Sequence, residues 1–205
     1  MSNLIIFEEK AVKAKGLNKD QKIDENKLKD YFFDDELENL RLLDNLPKFD
    51  LSRKISLLYP GCGTDILTPL IYLEKLFPKA KEAQLMMVDE MPVSGIIKTI
   101  LDEIGISFSE TKEDIGFYWK NKLVKVKFIQ SRVQDLELPE FNVYFERAFR
   151  IMKDQIPDYE QKMYSKLISG GIIISDSGFD SLKLERIDVP LELSAYGEMV
   201  IGRKT

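Results

Sequence analysis

Residues 54–65 read KISLLYPGCGTD, an apolar run that breaks into a glycine turn and then into a helical pattern. Polar side chains are scarce across residues 55–59, as in a parallel strand whose two faces are both covered by helices. Glycine belongs where the backbone bends sharply or where a ligand must lie against bare main chain. A helix that starts at such a turn offers free N–H groups and the positive end of its dipole to whatever occupies it. Strand, glycine turn and helix in that order form a nucleotide-type binding loop. An empty strand-to-helix turn is the alternative, because unliganded α/β turns favour glycine too.

Strand and helix patterns alternate from residue 55 onward, the signature of a parallel α/β sheet. Strands are expected at 55–59, 84–88, 123–129, 142–145 and 172–175, and helices at 66–77, 93–104 and 158–168. Gly170-Gly171 is expected to end the last helix. Two segments, 184–189 and 198–203, lie close enough in sequence to pair antiparallel. Lys125 and Lys127 share one face of the third strand, which suits a sheet edge guarded by charge or the polar face of any half-exposed strand. Residues 1–50 have too few apolar side chains for a core of their own and read as a helical extension packed on the domain 51–205. Within them, Phe33, Leu37, Leu40 and Leu43 give helical spacing over 31–46, with Asp34 and Asp35 suited to the helix start.

Several function classes drop out on composition. The chain has no histidine, so a Ser-His-Asp or Cys-His nucleophile and a His-bearing zinc site are excluded, and no metal is expected. The single cysteine excludes an internal disulfide framework and suits a reducing, cytoplasmic setting. No charged-then-apolar leader opens the sequence, and no apolar run approaches the roughly 20 residues of a membrane helix, so neither secretion nor a membrane is expected. A net charge of −5 argues against broad, charge-driven nucleic-acid binding. The stripe Lys120, Lys122, Lys125, Lys127 and Arg132 is the one feature favouring RNA, and a solvated edge explains it more simply.

Four places carry candidate chemistry. Tyr59, Gly61, Cys62 and Gly63 form the glycine loop, which lacks the Lys-Ser/Thr pair of a triphosphate P-loop. Asp89 and Glu90 end the second strand, where α/β nucleotide folds place the acceptor for ribose hydroxyls or, equally, a helix cap. Asp135 and Leu136, in the polar segment SRVQDL, have the types to accept from an exocyclic amine and to pack on a base; a surface loop is the plainer reading. Glu146 and Arg147 end the fourth strand, where they face a cleft or form a surface pair. Cys62, lacking a histidine partner, reads as a small spacer and not as a nucleophile. Tyr31, Phe32, Phe33, Tyr118 and Trp119 read mostly as packing.

Taken together these segments resemble the class I S-adenosylmethionine-dependent methyltransferases over roughly residues 50–205. LLYPGCGTD is similar to their glycine loop, MMVDE to the ribose-binding strand end and SRVQDLELP to the adenine-side loop. FNVYFERAF resembles the fourth strand, KLISGGIIISD the helix, turn and fifth strand, and YGEMVIGRK the closing strand. The resemblance implies a doubly wound, mostly parallel, seven-stranded Rossmann-like sheet with an antiparallel C-terminal strand. It implies S-adenosylmethionine as cofactor, with Gly61 and Gly63 along the methionine moiety, Asp89 at the ribose, and Tyr59, Cys62 and Glu90 also among the cofactor-binding residues. Asp135 would then accept from the adenine amine, with Leu136 beside it, and Glu146 would stand near the sulfonium and the substrate opening. Two positions depart from the family pattern: Tyr59 stands where an acidic residue is usual, and Asp65 where a third glycine often falls. The Asn/Asp-Pro-Pro-Tyr signature of amino-group methylation on nucleic acid is absent.

The resemblance makes a small-molecule or protein acceptor the expected partner, with no catalytic residue assigned. A catalytically silent binding or scaffold protein of the same fold is the alternative. A nicotinamide-dependent oxidoreductase is disfavoured, because Ile66 stands where G-x-G-x-x-G would need its third glycine.

Overall fold

The computed structural model describes residues 8–33, 35–112, 114–179, 182–194 and 197–205. Its centre is β1 (Lys54–Pro60), and alternation along that strand feeds two cores. Ile55, Leu57 and Tyr59 point to one face and Leu58 to the other. The first core packs under α3 (Leu67–Leu76) and α4 (Ser94–Glu103), and the second under α6 (Tyr159–Lys166).

Parallel pairing joins β1 to β2 (Glu82–Asp89) and to β6 (Phe141–Glu146). It extends from β2 to β5 (Lys122–Gln130) and from β6 to β7 (Leu167–Ser175). The expected C-terminal pair is present as β8 (Leu184–Arg186) and β9 (Val200–Lys204), antiparallel to each other, with β9 antiparallel to β7. The other helix on this side is the short α5 (Arg150–Asp154).

Two strands go beyond the expected seven. β3 (Phe108–Glu110) and β4 (Asp114–Trp119) form an antiparallel hairpin that adds to β5, giving the order β3-β4-β5-β2-β1-β6-β7-β9-β8. The third parallel strand is therefore internal, which corrects its reading as an edge. Lys125 and Lys127 are exposed for another reason: the connection from β5 to β6 contains only a 3-10 turn at Val133–Asp135, leaving that half of the second face bare. The lysine stripe is likewise dispersed. Lys122 is buried and donates to the carbonyls of Phe77 and Ala80 past the end of α3, while Lys120, Lys125 and Arg132 pair with Glu74, Glu82 and Glu90.

The N-terminal extension breaks where one helix was expected over 31–46. It holds α1 (Glu25–Lys29), α2 (Glu36–Asn39) and a 3-10 segment, Leu40–Asn45. Leu37, Leu40, Leu43 and Leu46 recur every third residue, the spacing that a 3-10 helix aligns and an α-helix spreads. Leu40, Leu43 and Leu46 are buried in the first core, whereas Phe33 stays exposed. Asp34 lies outside the described residues, and Asp35 makes no side-chain cap to α2. Gly170-Gly171 falls inside β7, where the pairing with β6 shifts register, instead of closing the helix. Gly170, with φ +74°, supplies the left-handed step that this bulge needs.

Candidate active site

A cavity of about 720 Å³ opens at the carboxyl ends of β1, β6 and β7. Ligands collect at this end of an open α/β sheet, next to the point where strand order reverses. Its floor is the glycine loop, and its opposite wall is the N-terminal segment around Tyr31, Phe33 and Glu36.

The two loop glycines serve different neighbours. Both have positive φ, +58° at Gly61 and +50° at Gly63. A Cβ on Gly61 would overlap the Phe149 ring, so the bare backbone here accommodates the protein's own side chain. A Cβ on Gly63 would meet nothing within 4 Å. The Gly63 N–H donates to Asp89 Oδ2 at 2.8 Å, and the Met91 N–H to Asp89 Oδ1 at 2.9 Å. Each carboxylate oxygen keeps a further lone pair, so Asp89 retains capacity for two hydroxyl donors.

Arg147 organises the deep end. Its guanidinium donates to Thr68 Oγ1 at 2.9 Å, to Asp65 Oδ2 at 3.4 Å and to Glu36 Oε1 at 2.5 Å, with Asp176 at 3.9 Å. Burial alone would lower its pKa; Asp65 and Glu36 outweigh burial, and the net shift is upward. Asp65, the departure from the glycine pattern, also accepts from the Thr68 N–H in the first turn of α3 at 3.1 Å and from the Tyr59 hydroxyl at 2.9 Å. Burial, reinforced by Asp65, pushes the Tyr59 hydroxyl well up, so it acts as a donor. Burial and then Asp89 push the Cys62 thiol up as well, which leaves no thiolate for nucleophilic work.

A strained turn aims these groups. Ala148 has φ +52°, outside the comfortable range of a residue with a Cβ. Its N–H donates to Asp176 Oδ1 at 2.8 Å, and the Phe149 N–H to Ser177 Oγ at 3.2 Å. Held this way, the turn sends Arg147 into the cavity wall and Phe149 onto Gly61. Burial raises the pKa of Asp176 against the opposing effects of the Ala148 N–H and Arg147.

No protein-family model matches the sequence, and no curated protein matches it. Solved structures do. An O-methyltransferase family 2 protein from Planctomyces limnophilus, in complex with apigenin, superposes with a TM-score of 0.51 at 15% identity, over 80% of this chain and 56% of that one. A methyltransferase from Pyrococcus furiosus gives 0.47 at 14% identity, over 82% of each chain. The YcgJ protein from Bacillus subtilis gives 0.42 at 14% identity, over 68% of this chain and 50% of that one. The chain thus spans about half the length of two of these three structures.

The fold is that of the class I S-adenosylmethionine-dependent methyltransferases.

On this methyltransferase fold the expected site residues divide. Tyr59, Gly61, Cys62 and Gly63 line the cavity. Asp89, Glu90, Asp135 and Leu136 lie outside it, on the shelf formed by the ends of β2 and β5. Glu90 is engaged with Arg132 at 3.3 Å, Asp135 is exposed at the end of its 3-10 turn, and Leu136 is half-buried against the second core. Glu146 does not stand near a substrate opening, which corrects the role the resemblance implied for it. Its carboxylate is sealed, accepting from the Tyr144 hydroxyl at 2.5 Å, from Lys153 Nζ at 3.0 Å and from the Ser175 hydroxyl. Trp119 is core, with its indole N–H on Glu74, whereas Tyr31, Phe32 and Phe33 reach the cavity wall instead of serving only as packing.

Sequence reasoning missed Glu36, Asp176, Phe149 and Glu192. Asp176 had a usable signal, an acidic residue directly after the fifth parallel strand. Glu36 had none, because 111 positions separate it from Arg147.

Proposed function

We propose that the chain is an S-adenosylmethionine-dependent methyltransferase whose acceptor is a small molecule held between the glycine loop and the N-terminal segment. The observation that carries this reading is the cavity beside Gly63, whose open backbone adjoins the Asp89 carboxylate at the end of β2. These residues fit an adenosine-bearing group: Asp89 has lone pairs left for two ribose hydroxyls, and Gly63 presents no side chain to obstruct the methionine end. Asp135 and Leu136 would border the base from the shelf. The bound cofactor supplies an already activated methyl group, so the protein's part is to place an acceptor atom in line with it and to exclude water. Tyr59, Asp65 and Arg147 form a hydrogen-bonded wall that fixes the cavity's shape without needing a histidine base.

A second reading, a catalytically silent binding protein of this fold, is favoured by one feature, the Phe149 ring that covers Gly61. Calorimetric titration separates the two. Micromolar binding of S-adenosylmethionine supports the enzyme, and no binding by the folded chain supports the silent protein. Asp89→Ala is expected to weaken that binding by about 1–3 kcal/mol, the cost of a lost hydrogen-bond partner in a partly buried site. An unchanged affinity would remove Asp89 from the cofactor site.

A further inference from the structure

The cavity has an unbalanced charge. Five carboxylates line it, from Asp35, Glu36, Asp65, Asp176 and Glu192, against the single guanidinium of Arg147. That guanidinium is already engaged by Thr68, Asp65 and Glu36, with Asp176 beside it. Among the described residues lining the cavity, no other cation remains to receive an anionic ligand. The carboxylates of Asp35 and Glu192 have no hydrogen-bond or ion-pair partner among the described residues. They come from neighbouring parts of one wall: Asp35 precedes α2, and α2 packs against the 3-10 turn Leu191–Leu193 that carries Glu192. The same wall supplies aromatic surface, with Phe33 about half exposed and Tyr31 partly buried.

From this we infer that the acceptor is an organic cation: a small molecule with an ammonium group and an apolar body, oriented by Asp35 and Glu192 and packed on Phe33. The inference rests on the methyltransferase reading and names the substrate class for that site. In the proposed pose the cofactor's methionine end, which carries an ammonium, a sulfonium and a carboxylate, would lie on the glycine-loop side with Asp65 and Asp176. Asp35, Glu36 and Glu192 lie on the opposite wall, so they act on whatever enters after the cofactor. Asp35 and Glu192 are exposed, so a cation there gains a solvent-screened attraction from the two carboxylates together and a further contribution from the aromatic face through its quadrupole. An anion of the same shape meets repulsion with no compensating partner. The ammonium is the recognition handle.

Three probes of one shape test it: phenethylamine, 2-phenylethanol and 3-phenylpropionate, titrated calorimetrically into the full chain saturated with S-adenosylhomocysteine. The amine is expected to bind at least about tenfold more tightly than either of the others, and added salt should narrow that gap. The double variant Asp35→Asn, Glu192→Gln should bind the amine about fivefold or more weakly while its affinity for the alcohol holds, the size expected of partly exposed charge pairs. S-adenosylhomocysteine binding by the variant serves as the check on its folding. Equal affinity for the three probes, preference for the carboxylate, an unaffected double variant, or no probe bound while S-adenosylhomocysteine binds would each overturn the inference. If S-adenosylhomocysteine fails to bind but the amine preference persists, the cofactor reading falls and the cation site stands.

Discussion

Glu146 and Arg147 are neighbours at the end of β6, and their side chains meet opposite fates. Glu146 turns into the second core, where Lys153, Tyr144 and Ser175 enclose it without access to solvent. Lys153 in turn holds Glu160 at 3.4 Å and the Gly178 carbonyl. Arg147 turns toward the first face and joins Asp65, Glu36 and Thr68 in a wall that still borders open space. Both clusters are ionic and both lie at the ligand end of the sheet. A charge sealed on every side serves the fold alone, whereas a charge with one open flank remains available to shape what binds.

The largest test of that contrast is Lys153→Met. It strands the Glu146 carboxylate in the core and is expected to destabilise the protein by about 3–5 kcal/mol, read from urea denaturation. A loss under about 1 kcal/mol would show that Glu146 has access to water or another cation. Next in size is the pair of loop glycines. Gly61→Ala adds a clash with Phe149 to the strain of positive φ and should cost about 2–4 kcal/mol of stability. Gly63→Ala carries only the strain, about 1–2 kcal/mol, and should instead harm cofactor binding. Equal stability losses would break the distinction between an occupied glycine and an open one. On the cavity side, Arg147→Met should cost about 1–3 kcal/mol, less than the sealed cluster because water can reach the carboxylates it leaves. It should also free α2, seen as faster proteolysis or hydrogen exchange around Glu36. If the N-terminal segment stays equally protected, the Glu36 ion pair does not hold it.

The smallest expected effect concerns pH. Burial raises Asp176 above its unfolded pKa, so the folded state binds its proton more readily than the unfolded state does. Stability from this group is therefore greatest below the ordinary carboxylate range and falls as pH rises through the raised folded value. Asp176→Asn should flatten that part of the stability–pH curve, measured as the difference between the two proteins across a denaturation series. A slope that survives in the variant would assign it to other carboxylates.

The loop at 59–65, the acidic end of the second strand and the alternation of strands with helices were legible because each rests on local chemistry. Glycine is needed where φ is positive, and continuous apolar runs are needed where both faces are covered. The hairpin over 108–119 left a period-two trace, since Ile115, Phe117 and Trp119 are all buried, but its place beside β5 depends on pairing that no local pattern states. The three-residue spacing of leucines from 37 to 46 likewise marked a tighter helix than the one expected.

From residue order alone came the parallel sheet, its glycine loop and the exclusion of histidine chemistry, because those follow from backbone geometry and side-chain inventory. Which of two adjacent charged residues is sealed and which borders the cavity came from three-dimensional packing. So did the Phe149 ring over Gly61 and the reach of Glu36 to Arg147. The physical reason is that burial and ion pairing are sums over neighbours distant in the chain, and those neighbours are set only when the whole sheet has closed around them.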